Sequence, residues 1–308
     1  VGDGLNQVLA FFARHGRLVL VAGLLTGILL PTVATIVKPN LPLLVAMTLF
    51  LAALRIGPRE ALGKLKDLQD VVGLIGIYQI VVPLVLFFVL PFTGLSATLV
   101  TALTLMAAAP SISGTPNLTI MMGRDPAPAL RMLIAGTAVV PFTSFIVFLF
   151  VPAFGSSYSV AVAAIKLLLL IGVATACAFT LRIFLFREAT QTFRNGVDGL
   201  SSLAMAGIVI GLMTAVGPTL RTDPLQVAIV LLLAFFASYG LQIATYFLLS
   251  NSDSDSKRIA YSISSGCRNN ALFIAALPAA VTDPLLLYIG CYQIPMYLTP
   301  LLLKRFYR

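Results

Sequence analysis

Long apolar runs, separated by short charged or Pro/Gly-rich breaks, fill almost all of this 308-residue chain. A helix needs about 20 apolar residues to cross the hydrocarbon core of a bilayer. Ten such spans are expected, near 16–34, 40–56, 71–91, 96–122, 127–151, 159–186, 198–217, 224–249, 258–280 and 284–303. The fourth and the ninth are interrupted by polar residues where a helix should run on. Residues 111–117 read SISGTPN and residues 262–270 read SISSGCRNN. The two phrases lie about half the chain apart, each in the fourth span of a five-span half. Five is odd, so the second half, 155–308, is expected to enter the membrane inverted relative to the first, 1–154.

Composition narrows the class. Hydrophobic residues make up 59% of the chain and charged residues 10%, with a mean hydropathy of +1.02, which excludes an ordinary soluble domain. The net charge of +9 does not imply nucleic acid, because the basic residues are scattered through short breaks and form no basic face. They sort instead by side. Of the 20 Lys and Arg residues, Lys38, Lys166 and Arg221 fall on one face of the expected bundle and Arg268 inside a span, which leaves 16 on the other. The positive-inside rule then puts both termini in the cytoplasm of a cell (inner) membrane. Arg14 and Arg17 precede an apolar run, but no small-residue cleavage pattern follows it. Cys177, Cys267 and Cys291 lie in spans without metal or disulfide spacing and read as small apolar residues.

The broken spans carry the candidate chemistry. Pro110 and Pro116 each remove a backbone donor, and Gly114 and Gly266 are expected to permit non-helical dihedrals. Backbone freed in this way is tolerated at membrane depth only inside protein or beside a polar cavity. Ser111, Ser113, Thr115 and Asn117 supply polar groups at the first break, and Ser262, Ser264, Ser265, Asn269 and Asn270 at the second. A single Ser or Asn in a span is ordinary interhelical glue; a cluster around a break, present twice, reads as a binding site. Gln293 and Tyr292 of the tenth span are candidates to face it. Arg268 is the one ionisable side chain expected deep in a span, with no Asp or Glu at its depth. Three roles are open to it: a cap for half-helix carbonyls, a clamp for a substrate anion, or a built-in replacement for a bound cation. The Asp125-Pro126 and Asp283-Pro284 steps are expected to start the fifth and tenth helices, and Asp253, Asp255, Lys257 and Arg258 to form a solvated loop.

In these segments the chain resembles the bile acid:sodium symporter (BASS) family, whose bacterial members have two inverted five-span repeats with crossed, broken helices 4 and 9. MAAAPSISGTPNLTIMMGR (106–124) is similar to the family's Pro-Gly-Gly…Ser-Asn segment, and SSGCRNNALFIAALP (264–278) to its Glu-x-Gly-Met-Gln-Asn-Ser-Gly-Leu-Ala segment. IYQIVVP (77–83) is a weaker match. The resemblance implies an all-α fold with a core bundle of spans 3–5 and 8–10 and a panel of spans 1, 2, 6 and 7. It also implies transport of an organic anion coupled to sodium. It places Asn117 and Asn269 at the family's two crossover asparagines, with Gln79 and Thr137 near sodium ligands. The departures fall on those same sodium sites. Ser264 stands where the family has a glutamate, Arg268 where it has a glutamine, and Pro116 where it has a ligand serine.

Losing a carboxylate and gaining a guanidinium is hostile to a cation site. The expected function is therefore an alternating-access carrier for a bile-acid-like or other carboxylate anion, without cofactor and without the usual two-sodium coupling. Conventional sodium symport and a non-transporting receptor on the same fold are the alternatives. An intramembrane enzyme lacks its parts, since the single histidine, His15, precedes the first span and no acid lies deep in one. The expected partners are the small organic anion and the lipid bilayer, with the oligomeric state open.

Overall fold

The computed structural model describes residues 2–65, 69–186, 190–252 and 254–307, with the side chains of 2–3, 62–65 and 69–70 left aside. Lys66, Arg187 and Arg308 of the basic set, and Asp253, lie outside the described residues, as do the side chains of Lys64 and Asp70. The first helices are α1 (Gly2–Arg14), α2 (Gly16–Leu29), α3 (Pro31–Ile56), α4 (Pro58–Leu65) and α5 (Val71–Thr93). A broken pair follows, α6 (Ala97–Ala108) and α7 (Thr115–Met121), then α8 (Ala127–Phe148), α9 (Ser157–Phe184), α10 (Gln191–Thr222) and α11 (Pro224–Leu248). A second broken pair, α12 (Asp255–Gly266) and α13 (Ala271–Ala276), leads into α14 (Ala279–Leu302).

Among the described residues there is no strand, and seven helices are long and apolar enough to cross a bilayer: α3, α5, α8, α9, α10, α11 and α14. An eighth arises if α1 and α2, bent by 79° at Arg14–Gly16, count as one. Phe92, Phe236 and Phe184 on the outside are 90%, 80% and 73% exposed, which water would not tolerate in bulk but lipid does. The chain is an all-α, multi-pass membrane protein.

Proline sets several boundaries. The residue before a proline is pushed out of the α region, and Leu30 before Pro31 sits at φ −119°, ψ 73°. The first span therefore ends at Leu29 rather than at 34, and the second starts at Pro31 rather than at 40. The expected loop there is helical, because Pro39 and Pro42 occupy first-turn positions of a 3₁₀ turn (Lys38–Asn40) and of the helix after it, where a missing N–H costs nothing. Asp125 caps the start of α8 by accepting from the Ala127 N–H at 3.0 Å. Asp283 instead opens a 3₁₀ turn and pairs with Lys38 at 2.9 Å. Of the charged segment expected as a loop, Asp255, Lys257 and Arg258 form the first turn of α12, and Arg258 lies 3.5 Å from the Tyr246 ring centroid and donates to the Tyr246 carbonyl.

Helix α10 is flanked by α1, α2 and α3, and α9 lies against α3. Helix α11 packs on α12 and α14, while α5 and α12 both reach α8. The contacts of α10 depend on small residues, as is usual where lipid gives helices no hydrophobic reason to associate. A Cβ on Gly199 would run into the Leu9 backbone.

Candidate functional site at the crossing of two broken helices

Pro110 breaks the first helix. Ala109 before it is extended, at φ −64°, ψ 149°, as a pre-proline residue should be, and the chain turns helical again at Thr115 with Pro116 in the first turn. The second break comes after Gly266, at Cys267 (φ −108°, ψ 87°). The two extended segments meet and pair antiparallel. The Ile112 N–H donates to Cys267 O at 2.9 Å, and the Asn269 N–H to Pro110 O at 2.8 Å. Each break thus satisfies backbone groups that the other leaves open, with no help from solvent.

The glycines differ from expectation. Gly114 takes an ordinary helical conformation, φ −78°, ψ −11°, so proline alone accounts for that break. Gly266 is the last helical residue of α12, and its smallness is needed for contact. A Cβ there would collide with the Ser238 backbone oxygen and the Gln242 side chain of α11. Its carbonyl accepts from both Ser238 Oγ (2.8 Å) and the Tyr292 hydroxyl (2.5 Å).

Arg268 is fully buried in the middle of this crossing. Its Nη1 donates to Ala109 O at 3.1 Å and its Nη2 to Tyr78 O at 3.3 Å, with the guanidinium 5.4 Å from the Tyr78 ring centroid. Ala109 O belongs to the C-terminal end of α6, where a cation is favoured by the helix dipole. The Tyr78 carbonyl is free for a reason written in the sequence. Residues Ile77–Val81 form a π turn in which the Val82 N–H bonds Ile77 O, and the next donor in that register would come from Pro83, which has none. Two charge-assisted hydrogen bonds of about 1.5–3 kcal/mol each offset an insertion cost of roughly 2.5–3.5 kcal/mol for a central arginine. Among the described residues Arg268 has no carboxylate partner.

Two of the residues matched to sodium-site positions, Gln79 and Ser264, are engaged elsewhere. Gln79 Nε2 donates to Gly136 O at 3.1 Å, and its Oε1 accepts from Thr143 at 2.8 Å. Ser264 Oγ bonds back to Ala260 O at 2.8 Å. Thr137 and Pro116 are half-buried, and Asn117 is exposed on α7.

A small cavity of about 40 Å³ lies between the crossing and helices α3, α10 and α14. Ser113, Arg268, Asn269, Asn270 and Gln293 supply its polar side, and Ile112, Met205, Ile208 and Met296 its apolar side, with Thr48 and Tyr297 between. Ser111, Thr115 and Asn117 do not line it. Thr115 Oγ1 is turned onto Ile112 O at 2.9 Å, and Tyr292 is turned onto Gly266. Asn270 is 3% exposed, yet neither atom of its amide has a partner, nor does Arg268 Nε or Ser111 Oγ. Of these, Asn270 and Arg268 line the cavity, and buried polar atoms left open beside a cavity suit a polar ligand group or water. Room for a few waters is all that 40 Å³ offers.

A polar network behind the crossing was not anticipated. Tyr78 bonds Thr245 at 2.6 Å, Thr245 bonds Ser265 at 2.7 Å, and Gln242 links Thr299 (3.2 Å) to the Tyr307 hydroxyl (3.2 Å). Ser238, Gln242 and Thr245 follow one another at steps of four and three along the otherwise apolar α11. That spacing puts them on one helix face and is a readable signal for it. No known family model matches the chain, and no characterised protein matches it either.

Proposed function

We propose that the chain is a secondary carrier for an organic anion, working by alternating access around the crossing, with Arg268 serving as a fixed internal cation in place of bound sodium. The observation that carries this reading is the guanidinium held between Ala109 O and Tyr78 O. Carbonyl oxygens from two separate helices are the ligands a hard cation would take. Here a permanent positive charge takes them, so the crossing is assembled without an ion. This reading extends the BASS resemblance to ten spans in two inverted repeats, 1–154 and 155–308. The seven long helices, the bent α1–α2 pair and the two mutually paired broken helices are consistent with it. Contacts of α10 with α2 and α3, and of α11 with α12 and α14, suit a panel and a core that move against each other. The cavity is too small for an organic anion, whose sites run to about 300–1,000 Å³, so the state described is a closed one. A carboxylate set on the Asn270 amide with an apolar body against Met205, Ile208 and Met296 suits the lining. Both termini lie in the cytoplasm in this reading.

The test is uptake of carboxylate anions into liposomes holding the purified protein, with sodium replaced by choline. At least one anion should be taken up at the same rate in both media. Flux that requires sodium would sink the proposal, and ligand binding without flux would turn the reading towards a receptor. A second test restores the family's charge pattern with R268Q and S264E together. Sodium should then stabilise the double variant by about 1.4 kcal/mol at ten times its dissociation constant, while leaving the unaltered protein unchanged in a thermal-shift series.

A further inference from the structure

The crossing carries one charge that the residues around it do not balance. Arg268 is fully buried and lines the 40 Å³ cavity, and no carboxylate among the described residues pairs with it. The other polar residues of the lining, Thr48, Ser113, Asn269, Asn270, Gln293 and Tyr297, are neutral. The Ala109 and Tyr78 carbonyls accept from the guanidinium, which makes it easier to bury. They are dipoles, however, and leave its net charge in place. A cavity this small holds a few waters at most, so solvent adds little while the site is closed.

Alternating access closes the site twice in each round of net transport, once around substrate and once empty. A bound sodium ion would dissociate along with the substrate and leave the returning carrier uncharged. The Arg268 guanidinium is tethered to the chain, so the empty carrier has to close around an unpaired charge, which a water-excluded interior disfavours. A monovalent anion in the cavity removes that penalty, because opposite charges attract strongly at low dielectric. A dianion leaves a negative charge over, and a neutral substrate leaves Arg268 unpaired. We infer that the chain is an exchanger of monovalent organic anions, a conclusion that rests on the carrier reading. It passes between its two open states readily only when loaded, so that one anion enters as another leaves.

The test uses the full chain in liposomes, with potassium equal on both sides and valinomycin present. The membrane potential then stays at zero, and an anion moving alone builds no opposing voltage. Uptake of labelled glycocholate, pyruvate or succinate is measured into vesicles that hold the same anion unlabelled and into vesicles that hold none, with protein-free vesicles subtracted. A monoanion should enter at least about tenfold faster where the same anion waits inside, a barrier difference of about 1.4 kcal/mol. Succinate, a dianion at neutral pH, should exchange at under about a tenth of the monoanion rate. Asn270→Asp adds a carboxylate to the cavity lining in nearly the same volume and neutralises the empty site. It should raise the half-saturating anion concentration and bring uptake with and without internal anion close together. Gln293→Glu adds the same charge from α14 and repeats the test if the first variant has a lowered thermal midpoint. Equal uptake into loaded and empty vesicles would overturn the exchange while leaving the carrier reading intact. Succinate moving at the monoanion rate would overturn the charge matching. A tenfold advantage of loaded vesicles that survives in both folded acid variants would show that the Arg268 charge is not its cause. Protein-dependent movement of none of the three anions would count against the carrier reading itself and take the exchange with it.

Discussion

Arg268→Ala is expected to lower stability in detergent by roughly 3–5 kcal/mol and, if the chain works as the proposed carrier, to abolish flux. The substitution removes two charge-assisted hydrogen bonds and leaves the Ala109 and Tyr78 carbonyls, which Arg268 bonds at 3.1 and 3.3 Å, buried without a donor. Each orphaned group costs about 1–3 kcal/mol. Part of this is offset, because a buried guanidinium is itself expensive to desolvate. The net sign is set by these two orphaned carbonyls. Arg268→Lys separates charge from geometry. An ammonium keeps the positive charge but lacks the planar fork that spans two acceptors on different helices, so it should fall between the two, losing about 1–2 kcal/mol. Denaturation midpoints for the three proteins read the order directly. If Arg268→Ala unfolded at the midpoint of the unaltered chain, the guanidinium would not be holding the crossing together. If Arg268→Lys were as damaged as Arg268→Ala, the fork and not the charge would be the working feature, and the internal-cation reading would fail.

The position of Arg268 in a broken span was legible from the sequence, but its partners were not. Apolar runs ended by prolines and charges gave the long helices, because membrane-depth backbone has few alternatives to a helix. The same rule exposed the two breaks, where Pro110 and the polar phrases interrupt apolar stretches. What the pattern could not supply was register across distant segments. Asn117 and Asn269 occupy similar places in the two phrases, yet Asn117 falls on an exposed face of α7 and Asn269 on the paired segment beside the cavity. Helix α7 resumes two residues before Asn117 and α13 two residues after Asn269, and that difference is enough to separate them. The apolar wall of Met205, Ile208 and Met296 is invisible for a similar reason, since nothing distinguishes those residues from any others in a span until α10 and α14 are placed. Pro83 carried a signal that was open to reading: a proline inside a span frees a carbonyl on the preceding turn, and a freed carbonyl in a membrane needs a donor.

Gly266→Ala should be among the most damaging single-methyl additions in the chain, while Gly114→Ala should be close to silent. The two glycines stand in corresponding phrases, and their surroundings decide the outcome. A methyl on Gly114 meets only the Ile112 side chain, at 3.5 Å and beyond, which is ordinary contact, and the backbone there is already helical. A small gain of a few tenths of a kcal/mol from reduced chain entropy is the larger effect expected. A methyl on Gly266 strikes the Ser238 carbonyl oxygen, and backbone cannot step aside by changing rotamer. Helices α11 and α12 would have to separate, straining the bonds from Ser238 and Tyr292 to Gly266 O. Overpacking costs about 1–3 kcal/mol and each weakened bond about 1 kcal/mol more, so a loss of about 3 kcal/mol or more is expected. Gln242→Ala added to Gly266→Ala separates the two clashes. It removes the side-chain collision but leaves the carbonyl in place, so it should restore little. Substantial rescue by Gln242→Ala, or a Gly266→Ala midpoint equal to that of Gly114→Ala, would mean that α11 and α12 are not held in backbone contact at the break. The second phrase would then lack the rigid support against which Arg268 is held.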